Sequence, residues 1–441
     1  MRHDPLAPSE TPLGFLEAWE QLIGGLGTPM LAPRRGRKPR VPLGDLLSGL
    51  TFHVLQGAGT LSEHFEQLFG APFADSSWSD RRTRLPWAIF AELMRRALRP
   101  RATKRQPEAF WRGWRLVALD GTQFNLTNTA QMTAIKKAQT RRGSAAFAKL
   151  TTTVLLELGL HNPLAAAIGR RGQSEWELGQ GLLAQLPRGA LLLADRLYGC
   201  AAFAIPARTI CARVGSHFLL RARGRVKPDV VKRLRDGSRL IRVRLRVPGQ
   251  PRDDGPLLEV REIRVRVGRP GHRPSELRLW TTLMDLRTAP AVELAQLYAR
   301  RWEHELYYRQ LKRDLRRTDV LQSHTVDTAA QEVAAMLLAS ALLATERSRA
   351  AAGHTPVLRV SFSKLLGLVR PLWLMLGVFG DLVTDRQKQQ MVRRTYTLMG
   401  RCVTAPRRSR TVPRAVRQPV MRWARVLEPH SVAGPLQFAV I

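Results

Sequence analysis

Two short apolar runs, each followed by an aspartate, constrain the fold of this chain most strongly. Residues 116–119 precede Asp120, and residues 191–194 precede Asp195. Short apolar runs bounded by turn residues are typical of buried strands. In open α/β sheets, ligands bind beyond the carboxyl ends of the strands. An antiparallel three-strand start followed by a parallel partner would bring the two strands, and therefore the two carboxylates, side by side.

The surrounding pattern predicts an α/β fold with a mixed sheet. Strands are expected at residues 150–158, 164–168 and 218–221, with a helix over residues 173–186. Residues 223–285 interrupt this order, because apolar residues there alternate with arginines, as in Ile241-Arg-Val-Arg244. Period two indicates strands, so we interpret this segment as a β-rich insertion whose arginine face is either solvated or in contact with phosphate.

The charge of the chain indicates a polyanionic partner. There are 71 lysines and arginines against 35 aspartates and glutamates, which gives a net charge of +36. Self-repulsion at this charge is relieved by a nucleic acid, whose phosphates release counterions when cations bind them. An arginine-rich stretch after residue 400 is interpreted as a nonspecific nucleic-acid arm or as a solvated end. Charge alone permits RNA as well as DNA.

One predicted helix carries an unusual polar stripe. Tyr298, Arg301, Glu305 and Lys312 fall within roughly 60° of one another if the helix is regular. Glu303 lies about 160° away from Glu305 and is expected to face away from the stripe. Glu305 and Lys312 could alternatively belong to a solvated helix face. Each aspartate could alternatively be a turn or cap residue.

Three carboxylates brought together would repel one another unless a cation neutralised them. Asp120, Asp195 and Glu305 would supply the hard oxygen ligands that suit Mg²⁺ or Mn²⁺. Two such ions about 4 Å apart activate a water or a 3′-hydroxyl in phosphodiester chemistry. Arg301 and Lys312 would then hold the nucleic-acid backbone.

These motifs together resemble the DDE transposases of the insertion-sequence-four group. The resemblance rests on Asp120-Gly-Thr, on Asp195-Arg-Leu-Tyr-Gly, and on the spacing Tyr298-x₂-Arg301-x₃-Glu305-x₆-Lys312, and it covers residues 111–345. It implies a ribonuclease H-like core, a metal-binding triad of Asp120, Asp195 and Glu305, and cut-and-paste movement of a DNA element. It also implies that Tyr298, Arg301 and Lys312 contact the DNA end, although Tyr298 would equally well pack beneath the helix.

The resemblance also suggests a role for Trp280, at the end of the insertion. In members that pass through a DNA hairpin, a tryptophan of the insertion stacks on a flipped base, and Trp280 is the candidate here. The alternative is a tryptophan buried in a strand.

The domain boundaries follow from these patterns. We expect a helical DNA-binding domain, the two parts of a catalytic core separated by the insertion, and a helical, basic C-terminal region. The helical DNA-binding domain covers residues 1–110, the two parts of the catalytic core cover residues 111–222 and 286–345, the insertion covers residues 223–285, and the C-terminal region covers residues 346–441.

The expected partners are double-stranded DNA and a second copy of the chain, with the helices after residue 345 as the dimer contact. No nucleotide cofactor is expected, because no Walker A lysine motif occurs. No membrane span is expected either, since the longest apolar run, residues 333–344, is short. The N-terminus lacks the apolar region of a signal peptide, so we expect a cytoplasmic, nucleoid-associated bacterial protein. The alternatives left open are a stand-alone metal-dependent nuclease, an inactive DNA-binding derivative of a transposase, and an RNA-binding protein.

Overall fold

The computed structural model describes residues 14–26 and 41–405, except for short gaps at residues 71, 73, 130–131, 133–134, 141–142, 225, 247–248, 250–253, 268–274 and 353–354. The arginine-rich stretch lies almost entirely outside the described residues. The α-helices are α1 (Phe15–Gly24), α2 (Leu43–Gln56), α3 (Leu61–Phe69), α4 (Asp75–Thr83), α5 (Trp87–Ala97), α6 (Glu175–Leu182), α7 (Ala201–Arg213), α8 (Ala291–Tyr298), α9 (Trp302–Arg309), α10 (Val326–Ala351), α11 (Phe362–Phe379) and α12 (Asp385–Arg401). The strands are β1 (Phe110–Trp111), β2 (Trp114–Asn125), β3 (Gln139–Thr140), β4 (Gly143–Ser144), β5 (Lys149–Glu157), β6 (Asn162–Ile168), β7 (Ala190–Ala194), β8 (His217–Arg221), β9 (Asp229–Arg233), β10 (Arg239–Arg244), β11 (Leu257–Val267) and β12 (Ser275–Thr281).

A mixed sheet forms the centre of the protein. Its strand order is β6-β5-β2-β7-β8-β12-β11-β10-β9, and β1 pairs with the start of β2. β6, β5 and β2 are antiparallel, whereas β2, β7 and β8 run parallel. The predicted order, an antiparallel three-strand start followed by a parallel partner, is therefore confirmed. The α/β fold class is confirmed as well.

The β-rich insertion extends this sheet rather than standing apart from it. β12 pairs antiparallel with β8, so strands β9 to β12 continue the ladder of the core. Ile241 and Val243 are buried while Arg242 and Arg244 are exposed, as the period-two pattern predicts. Several arginines of the insertion have carboxylate partners within it; Arg242, for example, pairs with Glu259 at 2.9 Å. Part of the arginine face thus stabilises the insertion itself.

Helices cover both faces of the sheet. One face packs against α10 together with the N-terminal helices α1 to α5 and the C-terminal helices α11 and α12. The other face packs against α6 and α7. Because α10 is enclosed by other helices and by the sheet, it is apolar nearly all round, with Ala329, Val333, Leu337 and Leu343 fully buried. The N-terminal helices share this core, so they pack as one body with the sheet.

By length and hydropathy alone, two helical stretches are long enough to cross a membrane. In the first, Val326–Ala351, 94% of the most apolar window is buried inside the protein. In the second, Phe362–Leu382, 33% of that window is buried. The apolar run at residues 333–344 lies inside the first stretch, whereas the second was missed because Lys364, Arg370 and Asp381 interrupt it. The apolar composition of α10 follows from its position in the core, whereas Phe362–Leu382 leaves apolar side chains exposed to solvent.

Candidate functional site

Asp120 and Asp195 lie side by side at one edge of the parallel strand pair. Leu119 of β2 and Ala194 of β7 are register partners, so the two aspartates directly follow a paired position. β7 ends there as predicted, but β2 continues to Asn125 through its ladder with β5. The predicted strand end at Asp120 is therefore wrong for β2. Only the pairing with β7 ends at this point, and this exposes one side of the Asp120 backbone to the site.

The Asp120 carboxyl lies in an environment that disfavours its charge. Burial, opposed by Arg301 and the Gly121 N–H and aided by the nearby Asp195 and Glu175, raises the pKa of Asp120 to about 7. The neighbouring carboxylate of Asp195 accepts a hydrogen bond at its Oδ1 from the Leu197 backbone N–H at 2.7 Å. The site thus concentrates negative charge in a poorly hydrated place, which is the condition under which a cation binds strongly.

The predicted signature helix is irregular. It consists of α8, a 3₁₀ turn at Ala299–Arg301, α9, and a π-helical segment at Gln310–Arg316. Arg301 bridges two of the predicted carboxylates, because its Nη1 donates to Oδ2 of Asp120 at 3.1 Å and its Nη2 donates to Oε1 of Glu305 at 2.9 Å. Glu303 faces away, as the helix phase predicts, and accepts a hydrogen bond from the Gly159 N–H at 2.7 Å.

Three side chains of this helical segment hold backbone carbonyls of the sheet. Tyr298 is buried and donates to the Ala194 carbonyl at 3.3 Å, next to Asp195. Tyr308 is also buried and donates to the carbonyl of Asp120 itself at 2.7 Å. Lys312 donates to a β2 carbonyl, that of Gln123, at 2.8 Å. Tyr298 therefore packs beneath the helix, and its contact with a DNA end stays a prediction. Sequence reasoning missed Tyr308, although it follows Glu305 by three residues and so lies near the same helix face.

Trp280 and Trp302 differ in their access to solvent. Trp280 has no exposed surface, and its Nε1 donates to Oε1 of Glu262 on the neighbouring strand at 3.4 Å. This burial agrees with the alternative of a strand tryptophan and leaves no ring face for stacking on a base. Trp302, which directly follows Arg301, is 48% exposed. The accessible tryptophan beside the site is therefore Trp302, which the sequence analysis did not select.

Glu175 is a fourth carboxylate at the site, and sequence reasoning missed it as well. It is the first residue of α6, whose start is fixed by a capping box between Ser174 and Glu177. Its Oε1 accepts hydrogen bonds from the Gly121 N–H at 3.1 Å and from the Tyr198 hydroxyl at 3.2 Å. Burial is the main cause that raises the pKa of Glu175. The Ser174–Glu177 capping box marks the start of α6 in the sequence, but the contact of Glu175 with Gly121 arises only from the packing of α6 on the sheet.

The carboxylates fit a divalent cation in part. Carboxylate oxygens are hard ligands suited to Mg²⁺ or Mn²⁺, and Asp120 and Asp195 directly follow register partners on two adjacent parallel strands. Within the ranges that the structure describes, however, no three acidic, histidine or cysteine side chains are grouped closely enough to hold a metal ion. Asp120 and Asp195 are the neighbouring carboxylates of this sheet edge, whereas Glu305 is held by Arg301 at 2.9 Å.

Comparison with known proteins agrees with this geometry. The sequence model of a family described as "Transposase DDE domain" matches residues 111–342, slightly more than half of the chain. The match begins just before β2, includes both aspartates, and ends within α10 beyond the signature helix.

Two individual proteins extend the comparison. The transposase InsG of insertion sequence element IS4 from Escherichia coli strain K12 is 28% identical over 321 residues, which cover 71% of this chain and 70% of that protein. The cryo-EM structure of a piggyBac transposase synaptic complex with hairpin DNA superposes with a TM-score of 0.50 and 8% identity, covering 88% of this chain and 85% of that one. At this low identity the second likeness concerns the fold alone.

Proposed function

This chain belongs to the family of transposases with a DDE domain, and we propose that its strand cleavage and joining take place at Asp120, Asp195 and Glu305. The observation that carries this proposal is the pairing of β2 with β7, since it sets the two aspartates next to each other. Arg301 ties the third carboxylate to the first through hydrogen bonds of 3.1 and 2.9 Å. The strand pairing and this bridge support the choice of these three residues.

The proposed chemistry uses the carboxylates to bind divalent metal, which transposases of this family use. A bound Mg²⁺ or Mn²⁺, in one or two copies, would supply Lewis-acid activation of a water or a 3′-hydroxyl and stabilise the leaving oxygen. Asp120 and Asp195 offer oxygen ligands from a rigid sheet edge. Glu305 completes the set when the Arg301 guanidinium releases it, and Arg301 then becomes available for a bidentate grip on a DNA phosphate.

Arg301, Lys312 and Trp302 are the proposed contacts with the DNA end. Lys312 is partly exposed and lies 5.1 Å from the centre of the Phe124 ring, which together with its bond to the Gln123 carbonyl fixes the ammonium near the site. The half-exposed indole of Trp302 takes over the stacking role predicted for Trp280. Tyr298 acts beneath the surface, where it holds the carbonyl next to Asp195.

We further propose that the protein acts as a homodimer on paired element ends. Exposed apolar side chains lie on the C-terminal helices and the turn between them, namely Met375, Val378, Phe379, Leu382 and Leu398, and the first three recur at the spacing of one helix face. An apolar patch of this kind is typical of a contact between proteins. A second copy docked there would explain why Phe362–Leu382 is apolar but only one third buried. The DNA-binding role of residues 1–110 rests on the sequence alone.

Purified protein, a DNA end with its terminal inverted repeat, and Mg²⁺ or Mn²⁺ provide the test. We expect nicking that frees a 3′-hydroxyl, followed by transfer of that end into target DNA. Cleavage without joining would identify a nuclease, and binding without any metal-dependent chemistry would identify an inactive derivative. Sedimentation with and without DNA tests the dimer, and Phe379→Ser is expected to weaken it without changing the nicking of a single end.

A further inference from the structure

Glu175 connects the two strands that carry the proposed catalytic aspartates. Gly121, whose N–H it accepts at 3.1 Å, directly follows Asp120 in β2. Tyr198, whose hydroxyl it accepts at 3.2 Å, lies three residues after Asp195 in the loop that follows β7. One oxygen, Oε1, therefore receives a donor from each side of the site.

We propose that Glu175 is a positioning residue, which sets the distance between Asp120 and Asp195 by holding the backbone of one segment and the tyrosine of the other. This inference rests on the proposed function of the two aspartates. The proposed role is to hold geometry, because Glu175 acts through its contacts with Gly121 and Tyr198 and not by touching the DNA.

The packing around Glu175 leaves room for this arrangement and for little else. A Cβ atom added at Gly121 would lie 2.2 Å from Cδ of Glu175, so any side chain at position 121 would displace the carboxylate. A Cβ atom added at Gly179 would lie 2.6 Å from Cε1 of Tyr198. The two glycines thus admit the carboxylate on one side and the phenol on the other. Tyr198 itself is fully buried, so its hydroxyl has a fixed position.

The helix start that presents Glu175 is equally fixed. Ser174 accepts from the Glu177 N–H at 3.3 Å, and Glu177 accepts from the Ser174 N–H at 2.7 Å. The Thr153 hydroxyl of β5 donates to the Glu175 carbonyl at 3.4 Å, which ties the helix start to the sheet. A carboxylate in the first turn is also favoured by the helix dipole. The residue that connects the two segments is thus anchored in a third element.

Both partners of Oε1 are donors, so the proposed role needs an acceptor oxygen at this place and not a charge. A glutamine supplies that oxygen, whereas an alanine does not. The pair Glu175→Gln and Glu175→Ala therefore separates positioning from metal binding, for which the charge would be required. Glu177→Gln is the matched control, because it removes a charge from the same helix turn while a glutamine at this position keeps the capping box with Ser174.

The test measures single-turnover cleavage of end DNA at several Mn²⁺ concentrations, together with hydrogen–deuterium exchange of the metal-free proteins. We expect Glu175→Ala to cut roughly 100-fold more slowly, the loss that a misplacement of about 1 Å can cause. We expect faster exchange in the peptides that contain Gly121 and Tyr198. Glu175→Gln should keep a rate within a few-fold of the wild type, the same Mn²⁺ midpoint and the slow exchange. Glu177→Gln should keep the wild-type rate, the same Mn²⁺ midpoint and the slow exchange.

Two results would overturn the inference. If Glu175→Gln lost as much activity as Glu175→Ala, or needed tenfold more Mn²⁺, the charge would matter and Glu175 would be a metal ligand. If Glu175→Ala kept the wild-type rate and exchange, the contact would have no role. Should Glu175→Ala fail to fold, Tyr198→Phe removes one of the two donors and is expected to slow cleavage and speed exchange in the same direction. If the wild-type protein did not cleave end DNA, the proposed function would be refuted. The hydrogen–deuterium exchange rates of the metal-free variants would still decide whether Glu175 positions the two segments.

Discussion

Replacement of Asp120 by asparagine is expected to stabilise the metal-free protein, and more at pH 8 than at pH 5. Burial, aided by Asp195 and Glu175, raises the pKa of Asp120 from 3.8 to about 7 although Arg301 opposes the rise. A carboxyl whose pKa is higher in the folded than in the unfolded state stabilises the fold fully below its unfolded pKa, and this contribution is lost as the pH rises through the folded value. The difference corresponds to about 4 kcal/mol, of which about 3 kcal/mol is lost between pH 5 and pH 8. The side chain is only 16% exposed, so solvent screening removes little of this.

Urea unfolding of both proteins in a chelator, at pH 5 and at pH 8, measures this effect. We expect the free energy of unfolding of Asp120→Asn, relative to the wild type, to increase by about 3 kcal/mol between the two pH values. Other groups that titrate in this range do so in both proteins and cancel in the comparison. Addition of Mn²⁺ at pH 8 should stabilise the wild type and have little effect on the variant. An equal difference at both pH values would refute the argument, because it would mean that Asp120 is already ionised at pH 5.

Three further changes test other parts of the site and the core. Tyr308→Phe removes the 2.7 Å hydrogen bond to the Asp120 carbonyl, so we expect a loss of about 1 kcal/mol in urea unfolding and slower cleavage with unchanged DNA binding; unchanged cleavage would contradict this. Burial raises the pKa of Glu346 from 4.5 to about 7, so Glu346→Gln should stabilise by about 3 kcal/mol at pH 8 and hardly at pH 4, and a gain that is the same at both pH values would exclude this cause. Trp302→Ala should weaken binding of an end DNA by about 1–3 kcal/mol in a mobility-shift titration without loss of stability, whereas unaltered binding would remove Trp302 from the DNA contact.

The short, fully buried strands were predictable from the sequence. The runs before Asp120 and Asp195 are strands whose leucine, valine and alanine side chains are enclosed on both sides, and their predicted parallel pairing is confirmed. Glu303 was assigned correctly to the far side of the helix, because helix phase is a local property that two residues suffice to fix.

The remaining features depend on contacts between distant segments. The π-helical segment at Gln310–Arg316 changes the phase of Lys312, and no local signal marks it. Trp280 is buried because both faces of β12 are covered, whereas alternation along a strand indicates only one buried face. Glu175 reaches Gly121 from 54 residues away, a contact that only the packing of α6 on the sheet creates. Sequence spacing therefore identified which side chains belong together, but not which backbone atoms they hold.

The most direct test of the proposed triad compares two glutamates of one helix turn. Glu305 is bridged by Arg301 to Asp120, whereas Glu303 binds the Gly159 N–H on the other side. In metal-dependent cleavage of an end DNA, we expect Glu305→Gln to lose about 100-fold or more, which corresponds to about 3 kcal/mol of transition-state stabilisation, and Glu303→Gln to keep most of its activity. Full activity of Glu305→Gln, together with loss of activity in Glu303→Gln, would contradict the assignment of the active site.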